Sequence, residues 1–242
     1  MARWRASSFL AVPVILVAVS GCTSPAPSPE VVAPRIALDR LAKTDDCTSC
    51  HADVASHWES SVHSYASFDN PWYRASVDAF REERGLRESR FCAGCHDPLL
   101  LLSGEIDRDV RPDSALAYAG ITCLVCHGSE STRPDGNGSY ALSGDAVLIP
   151  DPAREDEIRR HREQLTMSPL RSAELCGSCH RSFSGTDIGN EHHLTGIDDI
   201  GDWASSAYAG AATWHLASAD PQSCQACHMP SEAASPHEMA GA

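Results

Sequence analysis

Aromatic side chains are scarce in this chain of 242 residues, with Phe, Trp and Tyr making up only 6%. Strand patterning is scarce too, since few stretches alternate apolar with polar residues, and this argues against a sheet-based fold. Basic residues are outnumbered: 19 Lys and Arg stand against 33 Asp and Glu, a formal net charge of −14. That balance argues against nucleic acid and anionic lipid as partners and favours docking with basic redox proteins, though acidity that only keeps the protein soluble accounts for it equally well. Long apolar runs are missing as well. The stretch FLAVPVILVAVS has 12 residues, too few to cross a bilayer as a helix.

What the chain does have is cysteine followed by histidine. Ten of its 11 cysteines fall in five pairs of one spacing: CTSCH at 47–51, CAGCH at 92–96, CLVCH at 123–127, CGSCH at 176–180 and CQACH at 224–228. C-x-x-C alone suits zinc, a redox disulfide or thioether attachment of a porphyrin. The invariable histidine decides among them. With 12 His in the chain, chance places one after all five pairs with a probability on the order of 10⁻⁷. Zinc ribbons pair one C-x-x-C with another about 15–20 residues away, whereas the gaps here are 41, 27, 49 and 44 residues. Disulfides across two residues would leave the long segments unstapled and give histidine no role. Haem accounts for every part, because two thiols add to its two vinyl groups and the adjacent imidazole lies beneath the iron. The reading is five covalently bound haems c, held through Cys47, Cys50, Cys92, Cys95, Cys123, Cys126, Cys176, Cys179, Cys224 and Cys227. His51, His96, His127, His180 and His228 are the proximal iron ligands.

The remaining cysteine, Cys22, ends an N-terminal segment with Arg3 and Arg5, the 12-residue apolar stretch and small residues before the thiol. This is the outline of a bacterial export signal, and Val19-Ser20-Gly21-Cys22 resembles a lipobox. Residues 1–21 are expected to be a signal peptide, cleaved before an acylated Cys22. Residues 22–40, rich in Pro and Ser, form a tether, and residues 41–242 form a pentahaem cytochrome c domain. Losing Arg3 and Arg5 and no acid takes the net charge from −14 to −16. Export agrees with c-type haem attachment, which in bacteria takes place outside the cytoplasmic membrane. Multiple acyl chains anchor a protein stably, so the protein is expected on the bacterial membrane facing the periplasm or at the cell surface. Thr23 after Cys22 favours the outer membrane.

About forty residues per haem predict a core built largely of porphyrin. The fold class is mostly α, with ligand-bearing helices, wrapping loops and little sheet. Asn70-Pro71 predicts a capped helix over WYRASVDAFREERGLRE, and Asp151-Pro152 predicts another over AREDEIRRHREQLTM with acidic residues in its first turn. Ser168-Pro169 starts the run into Cys176. GNGSYALSGDAVLIP predicts one small β-hairpin.

Seven further histidines are candidates for the sixth position of the irons. Two axial imidazoles leave an iron coordinatively full, which suits electron transfer, whereas an open position admits a substrate. His63 lies 12 residues after His51 and is turned toward a neighbouring haem. His161 sits on the capped helix upstream of motif four, and His237 follows the last motif and reaches back. His215, His192 and His193 share one inter-motif stretch and supply one or two ligands, with His57 ranking behind them.

WESSVH, GITCLVCHG, GNGSYAL, LCGSCH and SCQACHMP, in that order, resemble landmarks of the superfamily of tetrahaem cytochrome c and hydroxylamine oxidoreductase. The resemblance implies a mainly helical protein with haems in parallel or perpendicular pairs forming a conductor, and implies His63, His161 and His237 as distal ligands. The chain departs from it in having five motifs rather than four or eight. All five motifs end in His, so the lysine-ligated catalytic haem of pentahaem nitrite reductases is missing, and no catalytic residue is assigned. Electron transfer between a membrane-linked donor and a periplasmic or extracellular acceptor is the favoured function. A reductase or oxidoreductase acting on a small nitrogen or sulfur species at one five-coordinate haem is the alternative.

Overall fold

A computed structural model of the chain describes residues 41–42, 44–111, 113–142, 147, 149–165, 168–210 and 219–230. Cys22, His215 and His237 lie outside the described residues. Among the described residues the structure is mostly helical, with short helices strung on loops. In chain order these are α1 (Asp45–Thr48), α2 (Ala52–Glu59), α3 (Pro71–Arg84), α4 (Arg90–His96), α5 (Pro98–Ser103), α6 (Cys123–His127), α7 (Glu155–Leu165), α8 (Ala173–Gly177), α9 (Asp199–Ser205) and α10 (Cys224–His228). Among the described residues no helix is long and apolar enough to cross a membrane.

The longest helix among the described residues, α3, follows from its ends. The Asn70 side chain accepts from the N–H groups of Trp72 and Tyr73 at 3.0 and 3.3 Å, and Pro71 occupies the first position, where no N–H is needed. Gly85 ends the helix at φ 101°, with Arg81 and Arg84 in the last turn facing the negative pole. The helix α7 starts later than its sequence signal. Asp151 accepts from Ala153 N–H through Oδ1 at 2.9 Å and from Arg154 N–H through its carbonyl at 2.9 Å. It thus closes a turn over Pro152, and the helix begins at Glu155, with Glu155, Asp156 and Glu157 still in its first turn.

Two apolar clusters meet at α5, whose run of leucines serves both. Leu99 packs with Leu41, Ala119, Leu124, Val125 and Val147, while Leu100 packs with Phe68, Tyr73, Val77, Ala93, Ile106 and Ala117.

The sheet content is small, but it differs from the single hairpin expected. Strand β1 (Ser129–Thr132) pairs antiparallel with β2 (Tyr140–Leu142), so the Gly136-Asn137-Gly138 turn joins a strand before it to one after it. A second pair, β3 (Arg181–Ser184) and β4 (Leu194–Asp198), follows motif four, with Arg181 opposite Asp198 and Phe183 opposite Thr195. Its strands are four and five residues long, too short to announce a period. Long-range bonds hold it instead, since Asn137 Nδ2 donates to Phe183 O at 2.9 Å and Phe183 N donates to Asn137 Oδ1 at 3.0 Å.

Candidate haem sites

Each C-x-x-C-H segment occupies one helical turn. In α4, α6 and α10 the motif is wholly helical. Motifs one and four continue α1 and α8, with His51 N donating to Cys47 O at 2.9 Å and His180 N to Cys176 O at 2.7 Å. Residues three apart share a helix face, so each turn offers two thiols on one side with the imidazole next in line. The residues between the thiols anchor these turns. Ala93 and Gly94, Leu124 and Val125, and Gly177 and Ser178 are buried, while in motif five Gln225 Nε2 donates to Leu170 O and Ser172 O at 3.1 and 2.8 Å.

Two proximal imidazoles have their Nδ1 atoms engaged. His96 Nδ1 donates to the Ala66 carbonyl at 2.9 Å, and His180 Nδ1 donates to Asp199 Oδ2 at 3.0 Å. Both partners only accept, so Nδ1 carries the proton and Nε2 keeps its lone pair for a metal. The ring of His96 also stacks on Tyr73 at 4.3 Å and 15°.

Two pairs of rings face each other from distant parts of the chain. His51 and His161 have centroids 6.2 Å apart with planes at 21°, and His63 and His180 have centroids 6.1 Å apart with planes at 85°. A metal held about 2 Å from one nitrogen of each ring separates the centroids by roughly 6 Å, so both pairs fit an iron between them. His127 belongs to the same neighbourhood as the first pair. Its pKa is lowered by desolvation and then by the imidazoles of His51 and His161. His63 is lowered by desolvation and by His180.

The position of His63 comes from the segment before motif three. Ile121 N donates to His63 O at 2.8 Å, and Trp58 Nε1 donates to Ile121 O at 2.8 Å. The Ser61 hydroxyl donates to Trp58 O at 2.7 Å and accepts from His63 N at 3.3 Å. Gly120 makes this clamp possible. It sits at φ +58°, and a Cβ there would lie 2.5 Å from the His63 carbonyl oxygen. Trp58, Ser61 and His63 of WESSVH thus act together with GIT of the third motif.

Thiols of different motifs also meet. Cys47 is hydrogen-bonded to Cys123, which lowers the Cys123 thiol to about 7 and raises Cys47. Cys95 pairs in the same way with Cys179, whose pKa falls while that of Cys95 rises. Burial and Cys224 push Cys176 up to about 11. Burial, with Cys179 and Cys176 nearby, pushes Cys126 up to about 12. The motifs therefore lie in a continuous series: one against three, three near four, and four against two and five.

The Gly136-Asn137-Gly138 turn sits between motifs two and four. Gly138 N donates to Ser178 O at 2.8 Å, and at φ +76° a Cβ on Gly138 would stand 2.8 Å from Gly94 O. Tyr140 OH donates to Gly94 O at 2.9 Å. Between motifs four and five a cavity of about 230 Å³ is lined by Cys176, His180, Asp199, Trp203, Cys224 and His228.

The structure thus brings together all five motifs, His63 and His161. His192 is exposed on the loop before β4, where it is His193 that contacts the Phe183 ring, at 5.1 Å. His57 is exposed on α2. Asp199 and Ala66, which engage two proximal histidines, carried no sequence signal, because their contacts depend on the β3–β4 pairing and on the turn before α3.

Residues 46–128 match the family model described as cytochrome c554 and c-prime. Among solved structures the chain is similar to the crystal structure of a penta-heme cytochrome c552 from Thermochromatium tepidum, with a TM-score of 0.50 and 19% identity over 78% of this chain and 54% of that chain. The chain thus spans about half the length of that protein. No curated protein matches. The fold and the motif-bearing turns define the class, a multihaem c-type cytochrome. The residues present fit haem c, with paired thiols on one turn, His96 and His180 presenting Nε2, and two ring pairs at the separation an iron needs.

Proposed function

We propose that this chain is a pentahaem electron carrier, exchanging single electrons between a membrane-linked donor and a periplasmic or extracellular acceptor. The observation that carries the reading is the close placement of the motifs in one series, which leaves no haem site apart from the others. Haem supplies a reversible one-electron iron couple. The chain's own residues do the rest. Paired cysteines fix each macrocycle, His63 and His161 face His180 and His51, and Ala66 and Asp199 orient His96 and His180. Facing imidazoles favour coordinatively full irons, and hence carriage of electrons over substrate chemistry. His237, His215 and His192 are proposed to complete other irons. Acylation at Cys22, with residues 22–40 as a tether, would hold the domain at the membrane, the outer membrane favoured, and acidic charge would favour basic redox partners.

Low-temperature EPR of the oxidised protein, with haem content from a pyridine haemochrome assay, tests this. The expected result is five haems per chain, all low-spin. The near-parallel His51–His161 pair should give a rhombic signal and the perpendicular His63–His180 pair a strongly axial one. A high-spin signal would reveal an open iron and overturn the carrier reading in favour of reduction of a small nitrogen or sulfur species.

A further inference from the structure

Granting that His180 ligates an iron, as proposed above, we infer that Asp199 is a positioning residue that lowers the reduction potential of that iron. Asp199 reaches His180 twice. Its backbone N–H donates to His180 O at 3.0 Å and its Oδ2 accepts from His180 Nδ1 at 3.0 Å. The second sheet creates this placement, since Arg181 lies opposite Asp198, so His180 and Asp199 emerge together from adjacent strand ends. Neighbouring Asp198 is used elsewhere, accepting from Gly201 N at 3.1 Å and pairing with Arg181 Nε at 3.2 Å.

The two proximal histidines whose Nδ1 partners are visible differ in charge. His96 meets a neutral carbonyl and His180 meets a carboxylate. A carboxylate acceptor draws the Nδ1 proton toward itself, makes the imidazole a more basic ligand and favours ferric over ferrous iron. Solvent moderates the effect, because the side chains of His180 and Asp199 are 49% and 63% exposed. The carboxylate also fixes the ring plane of His180, and with it the perpendicular arrangement with His63.

The test uses the full haem-loaded protein. Peptide mass spectrometry first locates haem on Cys176 and Cys179, and spectroelectrochemical titration then follows the five couples. In D199N one couple should move upward, its oxidised-to-reduced ratio at fixed potential falling about tenfold, equivalent to about 59 mV for one electron. The other four should stay in place, and the strongly axial EPR signal should change with the couple that moves. D199S, whose hydroxyl is neutral and which leaves the Asp198 cap in place, should reproduce the shift if D199N fails to assemble, and D199E should restore the original potential. Unchanged couples in D199N or D199S would overturn the inference while leaving the carrier reading intact. So would an equal shift in D199E, which would mark a structural role at the start of α9. Absence of haem from Cys176 and Cys179 in the unsubstituted protein would overturn the reading of His180 and the inference with it.

Discussion

Asp97, immediately after His96, is 2% exposed and accepts from the Ser67 hydroxyl and Tyr73 OH. Burial outweighs these bonds and pushes its carboxyl from 3.8 up to about 6. The folded state therefore holds the proton more tightly than the unfolded chain does. Its contribution to stability is fully present below about pH 4, is lost as pH rises through about 4 to 6, and is flat above, a change on the order of 3 kcal/mol from this one group. Denaturant midpoints across this range should show that decline, and D97N should remove it. An identical slope in both proteins would assign the decline to other groups. The helical turns that carry the C-x-x-C-H segments were legible because their spacing is regular. The role of Asp97 was not, since nothing in HDP distinguishes a solvated aspartate from one sealed beneath Tyr73.

Among the elements, α3 was legible and α7 only in part, and the difference lies in what the aspartate or asparagine before proline does. Asn70 caps two N–H groups of the helix, so N70A should lower stability by about 1 kcal/mol. In a domain of this size that is about 2–4 °C in Tm, measurable by thermal melts followed in the far ultraviolet. A Tm unchanged in N70A would show that packing of Tyr73 and Val77 alone sets the start of α3. Asp151 folds back on Ala153 and Arg154 instead, a choice that Asp-Pro leaves open. The β3–β4 pair escaped the sequence altogether, because Asn137, more than forty residues upstream of Phe183, supplies its anchoring bonds and no local period reflects that.

At the scale of the whole molecule, charge and connectivity have separate consequences. A net charge of −14 accelerates encounter with cationic partners through a field that salt screens. Electron exchange with a basic redox protein, followed by stopped flow, should slow about tenfold or more between low and high ionic strength, while exchange with a small neutral oxidant should not. A salt-independent rate with the basic protein would remove electrostatic steering from the account. Connectivity acts on timing. His51 meets His161 across 110 positions and His63 meets His180 across 117, and contacts so far apart in sequence form late. A chain emerging from its N-terminus exposes the first three cysteine pairs before either facing histidine pair can close. Maturation thus has an interval built into the topology, in which the early thiols are open to ligation, and closure of the far pairs ends it.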